Sequence, residues 1–553
     1  MSRRKKSAAL EQSGESVNLP VEKSARLVGR GYPFLIGFVA LLIGFAISQL
    51  GMVQFGGFDH SVLVDVAWRL VQGQKPHVDF PCTLPVGFII GAKYAFQIFG
   101  VSWRALILFT ALFSVLTFIW SVWLLRRLFG NARLALLWAA TLQSLTLVLV
   151  SYWWYNPITS VAAVIFLLCA VLFWRDPDAL AARVSYFFAL FLIVLMKPNI
   201  ASILVPWVSV VLFLSPRHRL PVLALSVGAF AAFLVFLWVN HVGLSNLIKG
   251  YLTVAERGGS LKQFLQDLEP VEKGLSCLAF ALAILPGAAA CFRSRSMFHT
   301  ARWPWLALGA ILAGTYGFLT NGELKLVDLP PVLFGSLLLA ALPGVRPAGE
   351  GRARSQQPTA NSQQPISTTK APSSLPAAFA LTTYWNRYAA GLCLLLTIAG
   401  VAQAFNRQRV KAIGPYMFFE ERLAPQAFAD GFFKGLRSGE IFVAVNQQLA
   451  ELLRKEPGAS VAFGPRMQWA YAAFNKPSPR NQPIWWHPGV SFAAVDEELY
   501  ISRFLDSRFD LIVIFKGNGP TVYMSDNFVR ELLQRYSVDQ SYSTLIVLRR
   551  NKG

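Results

Sequence analysis

What most limits the possible fold of this chain is a series of long apolar runs that recur from Phe34 to Phe405 with few interruptions. A helix needs about 20 mainly apolar residues to cross the hydrocarbon core of a bilayer, and several of these runs approach that length. A soluble globule has no use for so many. The composition agrees: of 553 residues 54% are hydrophobic and only 14% charged, too little charged surface for a soluble fold of this size. The apolar content also excludes a disordered chain, and the 40 Gly and 31 Pro show no collagen period. The fold class expected is a polytopic α-helical membrane protein.

Basic residues at the ends of the runs give an orientation, because cytoplasmic loops carry the excess of Lys and Arg. The first span, Phe34 to Val53, follows Arg3, Arg4, Lys5, Lys6, Lys23, Arg26 and Arg30, so residues 1–33 read as a cytoplasmic tail before an uncleaved anchor. Trp103 to Leu125 returns inward and ends on Arg126 and Arg127. Residues 54–102 then form the first outer loop, in which Leu84 to Phe99 is short, carries Lys93 and reads as an interfacial helix. Leu134 to Val150 runs outward and Ile158 to Trp174 inward, followed by a short pair around Phe187 to Leu214 and by Val222 to Val239 outward. A polar outer loop, Asn240 to Lys273, precedes Leu275 to Phe292, Trp305 to Leu319, Val327 to Leu342 and Tyr388 to Phe405, which brings the total to about eleven crossings. The net charge of +22 is dispersed over these inner ends instead of being gathered on one domain, which excludes nucleic acid as a partner.

Two segments lie outside this pattern. Residues 344–376, rich in Pro, Ser, Gln and Ala, read as a disordered cytoplasmic linker within the membrane domain of residues 34–405. Residues 406–553 have the texture of a small extracytoplasmic α/β domain, with strands expected at Ser460 to Phe463, Asp510 to Phe515 and Ser543 to Leu548 and an amphipathic helix at Phe528 to Tyr536. Gly517-Asn518-Gly519 is a turn signal, and no Walker, GxGxxG or HExxH motif occurs. The five cysteines are scattered without metal or redox spacing.

The most informative stretch is Phe58 to Gly100 (FDHSVLVDVAWRLVQGQKPHVDFPCTLPVGFIIGAKYAFQIFG). Asp59 and Asp79 flank an amphipathic helix with Val66 and Leu70 on one face, and two carboxylates at a lipid interface suit a base and a substrate-orienting partner. Their alternative roles are a helix cap and a loop acid. Lys197, in LIVLMKPNIAS, interrupts an apolar stretch where a Lys is costly unless it reaches water, a partner or an anionic ligand. A second polar knot places Glu323, Lys325 and Asp328 together, either as a phosphate site or as a self-neutralising cluster. Arg257 and Lys262 are weaker candidates in a charged loop, while Trp485 and Trp486 either stack on a sugar, sit in the headgroup belt or pack in a core. His487 has no ligand partner at a recognisable spacing.

An Asp just beyond the first span, a Gly-x-x-Pro-x-x-Asp-Phe segment (Gly73, Pro76, Asp79, Phe80), a Pro-led apolar helix and the Phe99-Gly100 exit together resemble the GT-C glycosyltransferases. The resemblance is to the branch of protein O-mannosyltransferases, aminoarabinose transferase and RgtA-like enzymes. It implies a GT-C-like bundle, a polyprenyl-phosphate-linked sugar as donor, and Asp59 as the catalytic base. Lys197 resembles the Lys that follows a Leu-rich run in the family, and with Lys325 it is expected to hold the donor phosphate; Asp79 is the expected second, substrate-orienting carboxylate, and His60, His77 and Asp328 are accessory candidates. Relatives carry Asp-Glu where this chain has Asp59-His60, and an aromatic residue where it has His77. No cofactor and no metal ligand set is assigned, and a divalent metal is left open.

The expected function is therefore a membrane glycosyltransferase that transfers sugar, with inversion, to a hydroxyl or similar nucleophile of a lipid, glycan or protein acceptor. The expected location is the bacterial inner (cytoplasmic) membrane, with the C-terminal domain extracytoplasmic. The competing reading is a transporter or flippase for lipid-linked saccharides, for which internal repeats and midplane charges are the signature. The identities of sugar and acceptor are not written in the sequence.

Overall fold

A computed structural model of the chain describes residues 21–53, 55, 58–255, 270–293, 298, 303–320, 326–341, 375–410, 427–516 and 524–551. The N-terminal part is a bundle built around one helix whose crossing segment is wholly buried. Helices α1 (Val21–Leu50), α4 (Trp103–Phe129), α6 (Tyr155–Arg175) and α9 (Arg219–Val239) contain segments long and apolar enough to cross a membrane, as does α14 (Leu375–Val410). They take different places. The crossing segment of α6 is 100% buried, whereas those of α1 and α9 are 22% buried and present bare Phe, Leu and Val side chains outward. A surface so apolar is stable only against lipid. The chain is a membrane protein.

Shorter helices fill the gaps: α5 (Ala132–Leu145), α7 (Leu180–Leu195), α8 (Pro198–Phe213), α11 (Pro270–Arg293), α12 (Trp303–Thr320) and α13 (Pro330–Ala341). Helix α6 packs against α4, α7, α8, α12 and α13. Three arginines expected at inner ends, Arg126, Arg175 and Arg217, gather at one end of the bundle: Arg175 donates to the Leu128 carbonyl, Arg217 pairs with Asp178, which Arg183 also reaches, and Arg126 lies over the Tyr32 ring. Two expectations shift. The span expected over Leu134 to Val150 ends at Leu145, after which residues 146–154 run irregularly through the protein interior. Non-helical backbone is tolerated at that depth because protein groups satisfy it, as where the Val148 N–H donates to the Gln143 carbonyl. The polar loop expected from Asn240 opens instead with a helix, α10 (Leu244–Ala255), since Leu244, Leu247, Ile248 and Tyr251 recur at helical spacing. The residues of the expected linker up to 374 lie outside the described residues, as do Arg257, Lys262 and Gly517 to Gly519.

Between α1 and α4 stand α2 (Phe58–Val71) and α3 (Val86–Phe99). At 14 residues α3 is about 21 Å long, too short for a crossing, and most of its residues are buried in the protein. The C-terminal part carries α15 (Glu440–Lys455), α16 (Trp469–Ala473), α17 (Glu497–Asp506) and α18 (Asp526–Arg535) around a four-stranded sheet. Strands β1 (Val461–Phe463), β2 (Leu511–Phe515), β3 (Tyr536–Ser541) and β4 (Leu545–Arg550) lie in the order β1-β2-β4-β3, with β1 parallel to β2 and the other pairs antiparallel. Helix α15 seats Phe442, Val445, Leu449 and Leu452 on its buried face. Trp486 stacks on Phe528 at 4.2 Å in the small core of this domain, so core packing is its role.

Helix α2 joins the two parts. Its buried Asp65 and Arg69, one helical turn apart, pair at 2.8 Å with 0% and 1% of their side chains exposed. Ser478 donates to the second Asp65 oxygen at 2.7 Å, and Arg69 donates to the carbonyls of Pro479 and Gln482. Burial pushes the Asp65 carboxyl upward, while the Arg69 guanidinium and the Ser478 hydroxyl pull it back. Further bonds run from Trp68 to the Lys476 carbonyl, from Gln74 to the Ser478 carbonyl and from the Trp469 N–H to Ser61. Phe55, Trp103, Phe433 and Phe442 pack ring to ring at 4.8 to 5.0 Å nearby. Removing one member of a buried pair strands the other charge, so Asp65→Ala or Arg69→Ala is expected to cost about 3–5 kcal/mol, read as a lowered melting temperature in detergent. The double change Asp65→Leu with Arg69→Met should recover part of that loss. Singles that melt with the wild type contradict the clamp.

Candidate functional site

The segment SYWWYN, residues 151–156, is the wall that both His60 and Lys197 contact. It leaves the interior after α5, where an irregular backbone turns four aromatic side chains in different directions. Trp153 donates its indole N–H to the Phe88 carbonyl at 2.8 Å, and Trp154 and Tyr155 both take the edge of the Phe88 ring. Tyr152 meets His60 at 4.2 Å and Trp103 at 5.6 Å. Tyr155 and Asn156 begin α6 and face the turn between α7 and α8.

Lys197 occupies that turn, outside both helices, as the residue before Pro198 at the start of α8. Proline at the first helical position is favoured, and its preceding residue is held extended, which fixes the Lys197 backbone. The Lys197 N–H donates to Thr159 Oγ1 at 3.3 Å, and its ammonium donates to Asn156 Oδ1 at 3.1 Å while lying 5.3 Å from the Tyr155 ring centre. Desolvation by the surrounding protein pushes the ammonium down to about 8, and the charge of nearby Asp328 pushes it back up. Asp328 is 2% exposed, at the end of a short 3-10 turn, Leu326–Asp328, that packs on α6. A cation, an amide, an aromatic face and a carboxylate thus share one polar corner beside an otherwise apolar bundle. Such a corner can hold an anionic headgroup and shift with its charge.

The first loop approaches this corner through α3. A Cβ placed on Gly87 would lie 2.7 Å from Leu195 Cβ, and one on Gly91 would lie 2.5 Å from the Trp153 ring. Absence of a side chain at these two positions lets α3 press onto the Lys197 turn and the aromatic wall. Asp59 falls in the first turn of α2, and its side chain lies outside the described residues. His60 beside it is 1% exposed in a box of Phe55, Trp103 and Tyr152, where burial pushes the imidazole down to about 3 and keeps it neutral at physiological pH. Asp79 does not join the Lys197 corner. It accepts the Lys75 N–H at 2.7 Å, closing a turn, and lines a separate cleft with His77, whose imidazole burial pushes down to about 4. Lys325 lies outside the described residues. No group of three His, Cys, Asp or Glu that could hold a metal occurs among the described residues.

Asn156, Tyr152 and Tyr155 are site residues beyond those expected from the sequence. Their signal was the aromatic cluster YWWY at the end of an apolar run, the composition of a membrane-interface belt.

No family model matches the chain, and no curated protein matches it significantly. Among solved structures, the crystal structure of ArnT from Cupriavidus metallidurans in the apo state is similar with a TM-score of 0.52. The two sequences are 15% identical, and the alignment covers 94% of this chain and 98% of that one. This chain shares its fold with ArnT. The likeness extends over nearly the whole length, so the C-terminal domain belongs to the shared architecture along with the bundle.

Close packing at Gly87 generates a direct test. Gly87→Ala must displace Leu195 and with it the Lys197 turn, and overpacking of this type costs about 1–3 kcal/mol. Thermal unfolding should register that loss. Gly73→Asn, at a position with φ of +80° and no atom within 4 Å of an added Cβ, should lower the melting temperature less than Gly73→Val, because Asn tolerates the left-handed region better than a β-branched residue.

Proposed function

We propose that the chain is an integral-membrane glycosyltransferase of the GT-C type that uses a polyprenyl-phosphate sugar and works on the extracytoplasmic side. The observation that supports this most is the Lys197 corner, at the opposite end of α6 from the arginine-rich end, in a fold shared along its length with ArnT. By the positive-inside rule the arginine-rich end faces the cytoplasm. Lys197, positioned by Asn156 and by the Tyr155 ring, holds the departing phosphate, and burial lowers its proton affinity against the opposing charge of Asp328. Lys325, close in sequence to Asp328, is proposed as a second phosphate contact.

Asp59 is the proposed general base. It takes the proton of the acceptor hydroxyl as that oxygen bonds to the anomeric carbon, and the bond from that carbon to the phosphate oxygen breaks on the opposite face. Inversion follows, and the negative charge gathering on the leaving phosphate is met by the Lys197 ammonium. General-base assistance contributes about 10²–10⁴-fold.

The test is transfer from a radiolabelled polyprenyl-phosphate sugar by the purified protein in lipid. Asp59→Asn is expected to lower transfer by about 10²-fold or more with the fold intact. Equal transfer by Asp59→Asn removes the base role, and movement of the donor across the bilayer without transfer supports a carrier instead. The pH dependence gives a second test. An ordinary lysine keeps its charge to about pH 10, whereas Lys197, with its lowered value, loses it as pH rises through about 8. Affinity for the donor should therefore fall above pH 8 in the wild type. Lys197→Arg, which stays charged, should lose that dependence.

A further inference from the structure

A cleft of about 250 Å³ lies where the first loop, α10 and the C-terminal domain meet, apart from the Lys197 corner. Asp79 and Asn481 form one side, Lys249 another, and Asp496, Tyr500 and Arg503 a third. The seam is fixed: the Asn481 N–H donates to the Asp79 carbonyl at 2.6 Å, and His77 fills the space that a side chain at Gly250 would need. The Arg503 guanidinium lies 5.5 Å from the Tyr500 ring centre. Two carboxylates and two cations line this space, so a ligand with a strong charge of either sign meets repulsion along with attraction. Hydroxyl groups, which both donate and accept, satisfy such a wall. The volume falls below the ~300 Å³ at which pockets for drug-sized ligands begin, a size suited to one sugar ring.

Helix α10 says where the ligand comes from. Asn246, Lys249 and Gly250 line the cleft, while Leu244, Ile248 and Leu252 recur every fourth residue on an exposed stripe of the same helix, with 37%, 49% and 59% exposure. The helix follows the apolar α9 after only residues 240–243, and Trp238 at the end of α9 is 78% exposed, as in a headgroup belt. A helix with one apolar and one polar face at that boundary lies in the interfacial plane. Across the intervening chain the Val86 N–H donates to the Tyr251 hydroxyl of α10, and the next residues of α3 press on the Lys197 turn. The cleft and the phosphate corner are thus two sides of one short segment.

We infer that this cleft binds the uncharged sugar headgroup of a membrane amphiphile whose hydrocarbon tail lies along the Leu244, Ile248 and Leu252 stripe. Calling that amphiphile the acceptor rests on the transferase reading above; the binding itself does not. The experiment uses the full chain in phosphatidylcholine nanodiscs, titrated calorimetrically against empty-disc controls with octyl β-glucoside, methyl β-glucoside and octylphosphocholine, each below its micellar concentration. Octyl glucoside should bind at least tenfold more tightly than methyl glucoside, and Asp79→Asn combined with Arg503→Gln should weaken it at least tenfold while the melting temperature holds. Tyr500→Phe, which leaves the ring and removes the hydroxyl, should weaken binding and guards against misfolding of the double variant. The inference is overturned if no glucoside binds, if methyl glucoside binds as well as octyl glucoside, if the variants bind like the wild type, or if octylphosphocholine binds equally and depends on the same residues. Because no donor is present, binding that depends on these residues survives a failure of the Asp59 test, and loss of binding leaves that test standing.

Discussion

Asp65 and Arg69 are ionic partners shut away from water, and a pair so buried persists only when every remaining lone pair and N–H finds a partner. Those partners come from Ser478, Pro479 and Gln482, more than four hundred residues along the chain. The first loop and the C-terminal domain are therefore not free to choose their relative position. A loop that would otherwise lie loosely on the bilayer is tied by its central helix to a folded domain. The rings of Phe55, Phe433 and Phe442 add the apolar half of the same joint.

With α2 fixed, the rest of the loop has little freedom. The chain turns at Gly73 and at the Asp79-capped turn, and α3 is pressed inward until Gly87 and Gly91 touch Leu195 and Trp153. Those contacts set the position of the Lys197 turn relative to residues 151–156. A lysine at the edge of a bundle is costly unless it is partnered, and here an amide oxygen, an aromatic face and the field of Asp328 receive it. The fold so places a cation of lowered proton affinity beside the loop that carries Asp59. The dependence runs from a structural ion pair, through packing, to the electrostatics of the corner.

Much of this was legible in the sequence, for identifiable reasons. Crossing helices announce themselves because hydrocarbon demands length and apolarity: α4, α6 and α9 lie close to their expected bounds, as does the crossing segment Gly31–Val53, although α1 itself begins earlier, at Val21. Lys197 stood out because a charge within an apolar run has no cheap explanation. The Asp65 and Arg69 pair was invisible: acid and base four residues apart on an amphipathic helix look the same whether solvent or a distant domain covers them. Helix α10 was hidden in a stretch read by its polarity, although its leucines kept helical spacing. Strand β3, YSVDQS, is a mostly exposed edge without the apolar alternation that marks a strand. The end of α5 could not be read from composition, because what allows residues 146–154 to leave the helix is hydrogen bonding supplied by neighbours.

The account stands on the Lys197 corner receiving the phosphate of a lipid carrier. A cryo-electron-microscopy structure of the full chain in a nanodisc, with polyprenyl phosphate bound, measures this directly. The account requires phosphate density within about 4 Å of the Lys197 ammonium, with the prenyl chain leading from it into the bilayer. Phosphate density at the arginine-rich end of the bundle, with the Lys197 corner unchanged from its lipid-free arrangement, would contradict it.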